Sequence, residues 1–150
     1  MNKFKAIFTG FWAALAGWLG ILAIPVLVLV LCNIIDYGTG IAAARYRNET
    51  VNSYKGLRGI IKKVCMWLLI AVGAMIDWLI IYASQTIGIT IPVSFLIACV
   101  VAVWLIANEI ISILENMVDI GVSIPPFLLP LVKNIKKQVE DKAGESDTDE

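Results

Sequence analysis

The chain has 150 residues, of which 59% are hydrophobic and 16% are charged, whereas soluble domains average about 45–50% apolar and about 25% charged residues. Twelve basic and twelve acidic side chains cancel, and histidine is absent. These values exclude a globally basic nucleic-acid-binding protein, an acidic disordered chain and any site that needs histidine as a base or metal ligand. They predict an all-α membrane protein with no catalytic residue, metal or cofactor.

The first apolar segment, residues 6–35, contains 30 uncharged residues. About 20 helical residues cross the apolar core of a bilayer, so this run exceeds one span and is too short for two. It is also longer than the apolar region of a signal peptide, about 7–15 residues. We predict one span near residues 15–36, preceded by an apolar helical extension that lies along the interface, re-enters the membrane or lengthens a tilted span.

Small residues recur at four-residue intervals in this extension. Such spacing lets helix backbones approach closely in lipid, so the pattern favours a homo-oligomer. The pairs are Gly10 and Ala14, Ala13 and Gly17, and Ala16 and Gly20, and the packing candidates are Ala13, Ala16, Gly17 and Gly20.

Residues 36–63 form a basic segment with six bases and two acids. We predict a cytoplasmic loop that fixes the topology and contacts anionic lipid headgroups. This places the C-terminus inside and the N-terminus outside, although Lys3 and Lys5 oppose the second assignment. The six bases are Arg45, Arg47, Lys55, Arg58, Lys62 and Lys63.

Two further apolar runs predict spans at about residues 64–83 and 89–108, joined by a tight turn at 84–88 into an antiparallel hairpin. Three widely spaced cysteines lie in apolar stretches and form no CxxC pair, so we expect them to pack as small hydrophobic residues. They are Cys32, Cys65 and Cys99.

Asp77 lies about 14 residues into the second span, where an unpaired charge costs about 2.5–3.5 kcal/mol. One interpretation is a water-facing or inter-subunit position. The other is a protonated group bonded to a neighbouring helix, or one near the outer interface of a tilted span.

Polar residues also cluster at the end of the third span. Asn108, Ser112, Glu115 and Asp119 are spaced as one helix face, which Glu109 and Asn116 widen. This face is either solvated at the membrane boundary or in contact with another subunit or the basic segment. Together with Asp77, the pore or inter-subunit candidates are Asn108, Glu109, Ser112, Glu115 and Asn116.

The C-terminal part contains an apolar patch at 120–132 that is interrupted by three prolines. It is too short and too broken for a helical span, so we predict an interfacial segment. Residues 137–150 are rich in charged and small residues and predict a disordered tail, which leaves residues 1–136 as the transmembrane domain.

Three blocks in this order resemble the phage holin family that includes clostridial phage lysis and toxin-secretion holins. They are Asp36 before Thr39-Gly40-Ile41 and Ala43-Ala44; Asn52-Ser53 before Lys55-Gly56, Arg58-Gly59-Ile60 and Lys62-Lys63; and Asn108-Glu109, Ser112-Ile113-Leu114-Glu115-Asn116, Gly121 and then Pro125 or Pro126.

The resemblance implies a protein that accumulates in the bacterial cytoplasmic membrane and then associates into lesions. Its functional partner would be a cell-wall hydrolase or a secreted toxin, and its other contacts membrane lipid and copies of itself. Two other classes remain open: a small ion channel or transporter subunit with Asp77 and Glu109 on the permeation path, and a membrane scaffold without a pore.

Overall fold

The computed structural model describes residues 3–49, 53–92 and 94–144, in which all regular structure is helical. Three helical segments are long and apolar enough to cross a membrane, Lys3–Tyr46, Gly56–Thr86 and Leu96–Asp119. The predicted all-α membrane protein with three such helices is therefore confirmed. The α-helices are α1 (Lys3–Leu19), α2 (Ala23–Tyr46), α3 (Ser53–Thr86), α4 (Leu96–Asp119) and α5 (Leu128–Gly144).

A single 3-10 turn, Gly20–Leu22, separates α1 from α2. Gly20 has a φ of +54°, which an L side chain rarely adopts. Pro25 follows in the first turn of α2, where its missing N–H costs no hydrogen bond. The predicted N-terminal extension is thus a separate helix, and none of its residues is buried.

The basic segment is helical over most of its length, which corrects the predicted loop. Helix α2 continues through the helix-forming run Ala42-Ala43-Ala44 to Tyr46, and α3 begins at Ser53. Asn48 ends the first of these helices in a left-handed conformation, which asparagine tolerates better than most residues.

The turn after α3 lies close to the predicted position, but the following helix begins later than predicted. Gly88 has a φ of +78°, and the Ile89 N–H donates to the Ser84 carbonyl at 2.8 Å, as in a glycine-terminated helix. Helix α4 then starts at Leu96 instead of residue 89. Pro92 disfavours helical backbone in residue 91, which excludes a start at residue 89.

Helix α4 is the central element, since it contacts α2, α3 and α5. One apolar cluster joins the 3-10 turn, α2, α3 and α4 at the level where α4 begins. Its buried members are Leu22, Leu29, Met66, Ile70, Phe95, Ala98, Ala102 and Leu105.

The closest approach between α3 and α4 occurs at Gly73. A Cβ built on Gly73 would lie 2.9 Å from Ala98 Cα and 3.1 Å from the Ala98 backbone nitrogen. Two small residues therefore set the distance between these helices, as in other membrane helix pairs.

Gly73→Ala is expected to destabilise the fold by about 1–3 kcal/mol because the new methyl group meets backbone atoms that cannot rotate away. The measurement is the free energy of unfolding in mixed micelles titrated with a denaturing detergent. Gly59→Ala is the matched control on the same helix, since a Cβ there meets nothing within 4 Å. It should be neutral or stabilising by up to about 1 kcal/mol, and equal effects of the two changes would contradict the close packing at Gly73.

Helix α5 turns back and packs on α4, following a turn at Gly121 with a φ of +93°. Its Val132 is buried in a second apolar cluster with Ala107 and Leu114. Residues 137–144, for which disorder is predicted, are helical. The remaining part of the predicted tail, 145–150, lies outside the described residues.

Candidate functional site

A polar cluster between α2, α3 and α4 is centred on Lys63. Its ammonium nitrogen lies 2.9 Å from Asp36 Oδ2 and 2.5 Å from Glu109 Oε2. The Glu109 residue is only 2% exposed. One base of α3 therefore joins two acids, one from each of the other helices.

Neutral side chains complete the hydrogen bonding around these charges. The Asn33 amide nitrogen donates to Glu109 Oε2 at 2.9 Å, and its oxygen accepts from Trp67 Nε1 at 3.2 Å. The opposite amide orientation offers only a 3.4 Å contact with Lys63 Nζ and turns the amide oxygen toward the Glu109 carboxylate, so it is disfavoured.

Asn116 extends the cluster toward the end of α4. Its amide nitrogen lies 3.3 Å from both Asp36 Oδ1 and Thr39 Oγ1. The described part of the chain contains no buried side-chain nitrogen or oxygen without a hydrogen-bond partner. The polar cluster comprises Asn33, Asp36, Thr39, Lys63, Trp67, Glu109 and Asn116.

The cluster joins α2, α3 and α4 through paired charges. Burying ions is costly unless each has a partner and further hydrogen bonds, and both conditions are met here. Because contacts between α2 and α3 are otherwise sparse, the Lys63 side chain supplies the main polar link between them.

Asp77 forms a second polar contact near the opposite end of α4. It is 6% exposed, and its two carboxyl oxygens accept the backbone N–H groups of Ile97 and Ala98, each at 2.9 Å. These N–H groups belong to the first turn of α4, where intrahelical acceptors are lacking and an acidic group is favoured. Of the two interpretations left open for Asp77, the structure provides the bond to a neighbouring helix.

The remaining predicted candidates at the end of the third span face a groove instead of the bundle interior. Asn108, Ser112 and Glu115 line this groove between α3 and α4, together with Lys62 and Cys65. The predicted polar face is thus divided between the polar cluster and this groove. No described contact pairs these three side chains with another helix.

The acidic end of α4 also contacts the basic segment outside the bundle. Arg47 forms ion pairs with Glu49 and Asp119. The hydrogen bonds that Arg47 donates, first to Glu49 and then to Asp119, raise the pKa of Arg47. Because all three groups are well exposed, these pairs contribute little to stability.

The other basic candidates differ in their surroundings. Arg45, Arg58 and Lys62 are exposed, as contact with headgroups requires, whereas Lys63 is directed into the bundle. This corrects the predicted contact of Lys63 with lipid headgroups, since its side chain is only 17% exposed. The side chain of Lys55 lies outside the described residues.

The small residues of α1 are exposed in a single chain. A Cβ on Gly10, Gly17 or Gly20 would meet nothing within 4 Å. Contact between copies through Ala13, Ala16, Gly17 and Gly20 therefore stays a prediction.

Among the described residues, no group of three or more acids or cysteines is placed to hold a metal ion. Cys32, Cys65 and Cys99 are free thiols. Sequence reasoning missed Asn33 and Trp67, although each is one helical turn from a charged member of the cluster, Asp36 and Lys63.

This bundle contains three helices able to span a bilayer, and its innermost charged groups have partners within the chain. These are the features of a small polytopic membrane protein. Residues 13–137 match the bacteriophage holin family. The chain belongs to this family, which confirms the resemblance inferred from its three sequence blocks.

Relatives cover most of the chain. An uncharacterized protein of Halalkalibacterium halodurans is 34% identical over 73% of this chain and 76% of its own length. One from Listeria innocua is 33% identical over 93% of both chains. An uncharacterized 14.9 kDa protein from the nagH 3′ region of Clostridium perfringens is 30% identical over 77% of this chain and 79% of its own. No solved structure matches.

Proposed function

We propose that this protein is a holin that accumulates in the cytoplasmic membrane of a bacterial host and then oligomerises into lesions that release a cell-wall hydrolase. The observation that carries the proposal is family membership over residues 13–137. The fold supports it, because the buried acidic and basic side chains have partners within the chain: Lys63 joins Asp36 and Glu109, and Asp77 accepts two backbone N–H groups of α4. Such partners lower the cost of placing a single copy in lipid. A secreted toxin is the alternative cargo of the same lesion.

The proposed orientation has the C-terminus inside and the N-terminus outside. The exposed bases Arg45, Arg58 and Lys62 lie near the end of α2 and the beginning of α3, and the Arg47–Asp119 pair places the end of α4 on the same side. Basic residues near span ends favour the cytoplasm. Residues 137–144, at the end of α5, then belong to a cytoplasmic tail.

Gly17→Leu is expected to weaken association between copies, because a large side chain prevents close approach along α1. The measurement is the ladder of oligomers after chemical crosslinking in membranes. Phe11→Leu, an exposed change away from this face of α1, is the control and should retain the ladder. An unchanged ladder for Gly17→Leu would remove α1 from the proposed contact.

The second candidate function is a selective ion channel. It is favoured by the groove containing Asn108, Ser112 and Glu115, whose polar groups line the face between α3 and α4. A lesion and a channel differ in the size of what they pass, since only a lesion admits a folded enzyme.

The test is induced expression in bacteria with a co-expressed cytoplasmic hydrolase that lacks an export signal. A holin should halt growth abruptly, dissipate the membrane potential and release the hydrolase, followed by a fall in turbidity. The hydrolase alone and the membrane protein alone are the controls. Depolarisation without release would indicate a channel, and high expression with neither effect would indicate a scaffold.

A further inference from the structure

Helix α5 has two apolar surfaces, and α4 covers only one of them. Val132 packs on α4, with Leu128 beside it. Phe127, Leu131 and Ile135 are spaced four apart and are 66%, 49% and 43% exposed. This second apolar surface therefore has no cover in the described chain.

Basic side chains lie on the polar side of α5, opposite the uncovered stripe. Lys133 and Lys137 are exposed, and each follows a stripe residue by two positions, which is about 160° around a helix. Lysines on one side and an apolar stripe on the other are the pattern of a helix that lies in the boundary between lipid headgroups and acyl chains. Because α4 is a membrane span, its covalent attachment keeps α5 beside a bilayer surface.

The packed position of α5 also brings charge to the level of the membrane core. The helix runs antiparallel to α4, so its later residues reach Trp104: Glu140 accepts from Trp104 Nε1 at 2.8 Å, and Lys136 Nζ lies 5.2 Å from that ring. Trp104 lies five residues before Glu109 on α4. It is therefore about 7–8 Å along the helix from the Lys63–Glu109 ion pair. Acidic and basic groups at that depth are costly in lipid.

We propose that, when α4 spans the bilayer, α5 leaves α4 and lies on the membrane surface, with Phe127, Leu131 and Ile135 among the lipid chains and Lys133 and Lys137 on anionic headgroups. The linker permits this movement. Residues 120–127 can extend over about 26–29 Å, more than the diameter of a helix. The inference concerns the membrane-bound chain and does not depend on lesion formation.

The experiment compares the depth of two spin labels in the full chain, with its three natural cysteines replaced by alanine. Leu131→Cys and Gln138→Cys place labels seven residues apart on nearly the same side of α5. In vesicles containing an anionic phospholipid, both labels should lie at one depth, at the headgroup boundary. Packing along α4 would instead place residue 138 about 10 Å deeper than residue 131, and that result, or labels exposed to water, would overturn the proposal.

Two further measurements test the headgroup contact. Lys133→Gln/Lys137→Gln should move the label at 131 into water, whereas the control Lys3→Gln/Lys5→Gln should leave its depth unchanged. Hydrogen exchange of the unsubstituted chain needs no cysteine replacement: amide protection of α5 should rise when anionic lipid replaces a neutral lipid. Protection that is independent of lipid charge would overturn the anionic contact.

Discussion

Replacing Lys63 with methionine is expected to destabilise the three-helix bundle by about 3–5 kcal/mol, the usual cost of leaving buried charge without its partner. The substitution retains the apolar stem of the side chain but leaves Asp36 and Glu109 facing each other without a cation. The measurement is the free energy of unfolding in mixed micelles.

The neighbouring Lys62 provides a matched control because it carries the same side chain on the same helix but is exposed. Lys62→Met should change stability by less than about 0.5 kcal/mol. Neutralising both acids as well, with Asp36→Asn and Glu109→Gln in the Lys63→Met chain, should recover much of the loss. Equal effects at positions 62 and 63 would show that the ion pairs of Lys63 with Asp36 and Glu109 do not stabilise the folded protein.

Replacing Asp77 with leucine is expected to destabilise the fold by about 3 kcal/mol. The change removes two hydrogen bonds to the Asp77 carboxyl group and leaves two N–H groups of α4 unpaired at a buried position. Asp77→Asn keeps one oxygen as an acceptor and should lose about half as much. Unfolding in mixed micelles measures both effects.

Ser84→Ala is the control for Asp77. Ser84 is equally buried on α3, but its hydroxyl group donates only to the Ile81 carbonyl of the same helix. It should cost less than about 1 kcal/mol. If Asp77→Leu unfolds normally but weakens the crosslinked ladder, Asp77 acts between copies and the bond within the chain is dispensable.

The sequence predicted the membrane helices because apolar length is a local property. It could not predict where α4 begins. That boundary depends on Asp77, which lies 20 residues earlier than Ile97 and reaches its backbone only after the hairpin has formed. The later start also reflects Pro92. Its effect on the backbone of the preceding residue is local and can be read from the sequence, but the prediction followed the length of the apolar run.

The polar cluster was predictable in part. Charge of opposite sign in the basic segment and at the end of the third span indicated a possible contact, and Glu109 does meet Lys63. The sequence could not distinguish Lys63 from Lys62, because adjacent helical residues point about 100° apart and only the packing of α2 and α4 decides which one faces inward. Residues 137–144 continue the helix that begins at Leu128, whereas the sequence prediction rested on their charged and small-residue composition alone.

The break at Gly20 has a consequence for how the chain fits a bilayer. From Ala23 to Ile35, before Asp36, α2 offers 13 uncharged residues, or about 20 Å, against a bilayer core of about 30 Å. The 3-10 turn, Gly20–Leu22, adds about 6 Å, and the rest comes from α1, whose 17 residues supply about 25 Å. Because α1 is apolar and joins α2 through a bend, the number of α1 residues inside the bilayer can vary. The packing of the other helices stays the same. The same chain can therefore match bilayers of different thickness, with mismatch absorbed by α1 instead of by the packed helices.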